Sequence, residues 1–163
     1  MMKFIFLIGI VLFSGCNTPA KMQSIDPKEN QLTTIRWGES DLQEMANRVA
    51  THILSSSTID FSKSYSFGKI KNRSHDHIDT KHLADKISMA LVQSGKVKIV
   101  EKEKGKSSGI FFGKISSIFK KNDRTKDMFF NFNLTLTERE TSRVVWSHDV
   151  EIRKVYNKAM FGW

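Results

Sequence analysis

The sequence predicts an α+β domain in which helices pack on one face of a mixed, four- to five-stranded sheet. Apolar residues recur at helical spacing in two segments, one beginning near Ser40 and one at Asp79. Segments with strand character lie before and after the second helix, and such a unit favours a parallel strand pair. Longer segments follow, and they are expected to form antiparallel strands.

The first helix is predicted to begin at Ser40, because Gln43 three positions later completes a capping-box pattern. The helix is expected to end at the polar cluster of residues 55–58. Its core-facing positions follow helical spacing and comprise Leu42, Met45, Ala46, Val49, Ala50, Ile53 and Leu54.

A strand–helix–strand unit is predicted to follow the first helix. Residues 65–71 have the composition of a strand, and Asp79 is placed to cap the N-terminus of the next helix. Gly95 is expected to end that helix, since glycine readily adopts the left-handed conformation after a last turn. Residues 97–100 then form a short strand parallel to the first.

Residues 127–138 predict a strand with one apolar and one polar face. The apolar face is expected to pack on the helices and comprises Met128, Phe130, Phe132, Leu134 and Leu136. A turn near residues 140–143 leads to the last strand. If the period of two holds through His148, one face of that strand comprises Val144, Trp146, Val150 and Ile152.

The N-terminal segment has the pattern of an export signal. Lys3 precedes the apolar run 4–13, and the small residues Ser14 and Gly15 follow it. The run is shorter than the ~20 apolar residues that a spanning helix needs. We therefore expect a signal peptide over residues 1–15, a lipidated N-terminus and flexible tether over residues 16–38, a folded domain over residues 39–157 and a tail over residues 158–163.

Cys16 is the single cysteine of the chain and directly follows the small residues of the signal. A lone thiol has no partner for an intrachain disulfide. Residues 13–16 resemble the bacterial lipobox, with Phe13 where that motif has leucine. The resemblance implies acylation of Cys16, and Asn17 in the next position implies sorting to the outer membrane.

The chain is basic, with 26 Lys and Arg residues against 17 Asp and Glu residues and a formal charge of +9. The basic residues are scattered without aromatic side chains between them, so nucleic acid is not an expected partner. Acidic lipid headgroups or an acidic protein surface fit the charge better. A contribution to solubility alone explains it equally well.

The sequence contains no motif for a catalytic nucleophile or a phosphate-binding loop, so the protein is not expected to be an enzyme. One cluster has the residue types of a zinc or nickel site, namely His75, Asp76, His77, Asp79 and His82. Asp79 is already explained as a helix cap, and no second-shell partner follows from the spacing. No metal and no cofactor are therefore predicted.

Three stretches together match the pattern of a known family. They are residues 68–80 (GKIKNRSHDHIDT), residues 91–96 (LVQSGK), and residues 144–154 with their Val-Trp-Ser motif. This pattern resembles the LpoB family of penicillin-binding protein activators, over about residues 40–157. Ser142 departs from it, because the family usually has a glycine in that turn. Ser74 replaces the commoner threonine, and the tether is shorter than the family's proline-rich spacer.

The resemblance implies a fold similar to the amino-terminal domain of TolB and to CsgG. It also implies a monomeric outer-membrane lipoprotein on the periplasmic face, held in the membrane by its N-terminal lipid. Such a protein docks on a bifunctional penicillin-binding protein, a peptidoglycan synthase, and stimulates it. The alternative is a structural lipoprotein of an envelope assembly or export complex of the CsgG-like type.

Three aromatic residues are the predicted partner-binding anchors. Phe129 stands on the polar side of its strand, and Phe161 and Trp163 belong to the tail. Packing at the edge of the helices is the alternative explanation for each of them.

Overall fold

The computed structural model describes residues 34–101 and 106–157. The expectations for Cys16, Phe161 and Trp163, and for the signal peptide and the tail, lie outside these ranges. In chain order the elements are α1 (Glu39–Leu54), β1 (Ser64–Arg73), α2 (Thr80–Gln93), β2 (Lys98–Ile99), β3 (Gly109–Lys121), β4 (Thr125–Glu138) and β5 (Val144–Asn157).

The strands form one five-stranded mixed sheet in the order β2-β1-β3-β4-β5. β1 runs parallel to β2, as the strand–helix–strand unit predicts, and β3, β4 and β5 are antiparallel. The predicted α+β class is therefore confirmed. β1 also pairs with β3 in parallel, a pairing that the sequence pattern does not predict.

Both helices pack on one face of this sheet, and they also contact each other. They cover the apolar face of β4, whose five predicted core residues are at most 5% exposed. Burial of each such side chain contributes about 1.5–3 kcal/mol, so β4 supplies much of the core. Within the described ranges, neither helix is long and apolar enough to cross a bilayer.

The start of α1 differs from the prediction. The helix begins at Glu39 with Gly38 as its N-cap, and the predicted capping box of Ser40 and Gln43 is wrong. Asp41 takes this role, since its carboxylate accepts a hydrogen bond of 2.8 Å from the Gly38 N–H. Gln43 instead accepts a hydrogen bond of 3.0 Å from Lys86 on α2.

The ends of α2 agree with the prediction. The Asp79 carboxylate accepts a hydrogen bond of 2.9 Å from the backbone N–H of His82 in the first turn. Gly95, just past the helix, has φ +70°, a left-handed conformation that costs glycine little.

The prediction that Val144 shares a face with Trp146 is wrong, because β5 contains a bulge. Leu136 pairs with Trp146 while Thr137 pairs with Val144, so Val145 is the extra residue. The bulge reverses the alternation and leaves Val144 60% exposed. Val150 and Ile152 keep the predicted core-facing orientation.

Candidate partner-binding site

The face of the sheet opposite α1 and α2 carries no helix in the part of the chain that the structure describes. We call it the open face. Its side chains alternate along each strand with those of the core. The middle of this face is polar, with amide and hydroxyl groups from Ser116, Asn131, Asn133, Thr135 and Ser147.

Phe129 lies on the open face in a row that crosses three strands. The register places it opposite Ile118 on β3 and opposite Arg153 on β5. Ile118 is 55% exposed, and Phe129 is half-buried among its neighbours. Phe129 therefore points away from the helices, on the polar side of β4. Its role as a partner-binding anchor stays a prediction.

A bidentate ion pair between Arg153 and Asp127 flanks Phe129. Arg153 Nη2 lies 2.8 Å from Asp127 Oδ2, and Arg153 Nε lies 3.1 Å from Asp127 Oδ1. These hydrogen bonds hold the pKa of Asp127 below its usual value and raise the pKa of Arg153. Both groups are consequently charged at neutral pH.

A shallow depression of about 320 Å³ joins these features and is lined by Ile118, Lys120, Asp127, Phe129 and Arg153. We call it the Phe129 depression. An apolar floor with an aromatic residue and an arginine, surrounded by charges, is typical of the energetic centre of a protein interface. The arrangement is therefore suited to receive an apolar side chain from a partner.

Ile118, Asp127 and Arg153 were not predicted as site residues. The signal that identifies them is the turn between β3 and β4, where the Asn122 side chain accepts hydrogen bonds from the N–H groups of Arg124 and Thr125 at 2.9 and 2.7 Å. An asparagine in this role fixes the register of the hairpin. With the turn fixed, pairing outward from it brings Ile118 opposite Phe129.

The residues of the candidate metal cluster, His75, Asp76, His77, Asp79 and His82, do not share one site. His75 Nδ1 lies 3.0 Å from the Ser117 hydroxyl, and His82 Nε2 lies 3.7 Å from a Glu39 carboxylate oxygen. Asp79 caps α2, and His77 is exposed. In residues 34–101 and 106–157, no three His, Cys, Asp or Glu side chains are grouped to hold a metal ion.

Asp76, the buried member of that cluster, connects the loop to the start of α1. Its carboxylate accepts a hydrogen bond of 2.7 Å from the Trp37 N–H and lies 3.5 Å from Arg36. Its carbonyl accepts hydrogen bonds from the side chains of Asn72 and Ser74. The Asn72-Arg-Ser motif thus holds the loop that fixes the chain leading into α1.

The outer strand β5 is held against α1 by polar contacts. Arg48 donates a hydrogen bond of 2.6 Å to the Glu151 carbonyl. The His52 ring lies against the His148 ring at a tilt of 35°, with centroids 3.6 Å apart. Desolvation and the charges of His52 and Arg48 lower the pKa of His148, and Asp149 opposes the shift. This contact is therefore sensitive to protonation.

The domain is similar to a known protein family and to solved structures. The family model described as the peptidoglycan-synthase activator LpoB matches residues 41–108 and 110–152. The LpoB C-terminal domain from Escherichia coli superposes with a TM-score of 0.51 at 11% identity, covering 69% of this chain and 98% of that domain. The corresponding domain from Salmonella enterica gives the same values.

At this identity the structural likeness shows the fold alone. A comparison with curated proteins gives no significant match. The family model, however, extends from the first turn of α1 into β5 and covers more than half of the chain. The chain therefore belongs to the family of peptidoglycan-synthase activators of the LpoB type.

Proposed function

We propose that this chain is an outer-membrane lipoprotein that binds a bifunctional penicillin-binding protein and stimulates its synthesis of peptidoglycan. Acylated Cys16 is its anchor, and residues 17–34 tether the domain on the periplasmic side of that membrane. The predicted tether ended at residue 38, but Ile35 and Trp37 pack against the core. In this proposal the chain acts as a monomer and is not itself an enzyme. The observation that carries this proposal is the family match over residues 41–108 and 110–152.

We propose that the synthase docks on this chain at the Phe129 depression. Aromatic and arginine side chains at the centre of an interface often account for most of its binding energy. Here Phe129 and Ile118 provide apolar area, and the Asp127–Arg153 pair provides fixed polar partners beside it. The synthase surface that fits is an apolar side chain with polar groups around it.

Capture of the purified synthase by the detergent-solubilised chain tests the docking point. Phe129→Ala is expected to weaken binding about tenfold or more, as truncation of an interfacial anchor costs about 2 kcal/mol. Ile118→Lys, at an exposed position of the same depression, introduces a charge and is expected to weaken binding too. Met89→Ala is the matched control, because Met89 is 56% exposed on α2, which packs on the other face.

The two aromatic residues of the tail are tested in the same assay. If Phe129→Ala, Phe161→Ala and Trp163→Ala all bind the synthase like the wild type, these residues do not form the docking surface. Capture of copies of itself or of an export complex, without any penicillin-binding protein, favours the structural lipoprotein instead. Sizing of the chain distinguishes these cases, since a ring is large and an activator is a monomer.

A further inference from the structure

Two lysines face each other across β1 and β3 on the open face. Lys71 is paired with Lys114 in the register, and each alternates with a buried neighbour, Ile70 and Ile115. Arg73 lies in the next row, opposite Ser116. The two ammonium groups are exposed like charges on neighbouring strands, and they repel each other. An anion bound between them would relieve this repulsion.

No acidic side chain in the described ranges forms an ion pair with these three cations. The acids of the same rows are Asp149 and Glu151 on β5. They lie two strands beyond β3, about 10 Å away at ordinary strand spacing. Ions screen exposed charges over about 8 Å at physiological strength, so the cationic side of the face retains its field.

Neutral hydrogen-bonding groups lie beside the cations. Ser116 is paired with Asn131, and Lys114 is paired with Asn133. Each amide offers both a donor and an acceptor. The open face thus presents a row of cations along β1 and β3, with a parallel row of amides on β4.

We propose that this strip of the open face binds the glycan strand of peptidoglycan. Carboxylates of the peptide stems pair with Lys71, Lys114 and Arg73, and sugar hydroxyl and acetamido groups bond to Asn131 and Asn133. The inference rests on the proposed function in one respect, since that function places the domain beside the glycan that the synthase makes. The strip would hold the activator on the strand being made.

The distribution of charge favours a linear polymer over an anionic membrane. A membrane that met Lys71 and Lys114 would also approach Asp149 and Glu151, which lie in the same rows on the same face of the sheet. Those acids would be repelled by lipid phosphates. A single strand can lie along β1 and β3 without approaching β5, because the two regions are separated by β4.

Sedimentation of the detergent-solubilised full chain with purified peptidoglycan sacculi tests the proposal. We expect binding that weakens as salt rises. Lys71→Gln combined with Lys114→Gln is expected to weaken it about tenfold, from two exposed charge contacts. The matched control is Lys81→Gln with Lys96→Gln, which removes the same charge at the start of α2 and just after its end, and binds like the wild type.

The ligand is tested separately from the protein. Sacculi whose stem carboxylates have been converted to amides should bind the wild-type chain at least as weakly as intact sacculi bind the double variant, because amidation also removes the pairing with Arg73. Equal binding to amidated and intact sacculi, or equal binding by the double variant and its control, would overturn the proposal. So would capture of the chain by phosphatidylglycerol micelles through Lys71 and Lys114, without binding to sacculi.

This assay contains no synthase, so its outcome is independent of the docking test. If the chain captures the synthase normally but does not bind sacculi, only the proposal of glycan binding is rejected. Loss of synthase capture with normal sacculus binding rejects the proposed function alone. The double variant should also capture the synthase normally, because Lys71 and Lys114 lie outside the Phe129 depression.

Discussion

Lys154 Nζ lies 2.6 Å from Asp41 Oδ2 and joins the last strand to the first turn of α1. Both side chains are largely buried, and the Lys154 ammonium also donates to the Arg36 carbonyl at 2.8 Å. The carboxylate that pairs with Lys154 also accepts the hydrogen bond from Gly38. One buried ion pair therefore fixes both the start of α1 and its position on β5.

Lys154→Met is expected to lower the free energy of unfolding by about 2 kcal/mol, because Asp41 then keeps a buried charge without its cation. Chemical denaturation monitored by circular dichroism measures the change. Lys81→Met is the control, since Lys81 is exposed and its replacement should have an effect within about 0.5 kcal/mol. Equal effects of the two substitutions would show that the ion pair contributes nothing.

Stability is expected to fall in mildly acidic solution because of His148. Its pKa in the folded chain is lowered, chiefly by desolvation and then by His52, so the unfolded chain binds the proton more readily. The free energy of unfolding should therefore decrease as pH falls through about 6.5, the unfolded value, and level off below the folded pKa.

His148→Gln should remove part of this pH dependence, and His52→Gln should reduce it by removing one of the charges that oppose protonation of His148. Denaturation at about pH 7.5 and pH 5.5 measures the difference for each chain. Identical pH dependence in the wild type and in His148→Gln would contradict the assignment.

Ser142 adopts φ 57°, the only positive φ of a non-glycine residue in the described ranges. The left-handed conformation costs a residue with a side chain about 1–2 kcal/mol, and glycine avoids this cost. Part of that gain is offset because glycine has more conformational entropy in the unfolded chain. Ser142→Gly is therefore expected to raise the free energy of unfolding by about 0.5–1 kcal/mol. Ser57→Gly, at an exposed position without a positive φ, should not stabilise the domain. A destabilising Ser142→Gly would contradict the prediction.

Lipid attachment at Cys16 is tested in cells of the native host. Metabolic labelling with radioactive palmitate is expected to label the wild-type chain in the membrane fraction. Cys16→Ala is expected to abolish the label, because the chain contains no other cysteine. A labelled Cys16→Ala chain would place the modification elsewhere.

Much of the fold follows from local sequence patterns. The alternation in β4 predicts its buried face because a strand with one solvated face must alternate. The bulge at Val145 was not predictable from that period, since the turn with left-handed Ser142 sets the register next to it. The place of β1 between β2 and β3 depends on pairing of distant segments, which hydrophobic periodicity does not encode.

In the candidate site, too, local patterns predict some features, and others depend on pairing between distant segments. Phe129 was predictable as a residue on the polar side of β4, because its position there depends only on the period of two. Arg153 and Ile118 become its neighbours through pairing across three strands, which the sequence does not display directly. Asp76 likewise gains its role from Trp37, 39 positions away, and looks in the sequence like a metal ligand.

Activation is tested most directly by the rate at which a bifunctional penicillin-binding protein polymerises its lipid-linked precursor with and without the full chain. The rate is expected to rise with the concentration of the chain and to saturate. Phe129→Ala should need a higher concentration for the same rate, and Met89→Ala should act like the wild type. A rate that stays unchanged at concentrations where the chain binds the synthase would contradict activation.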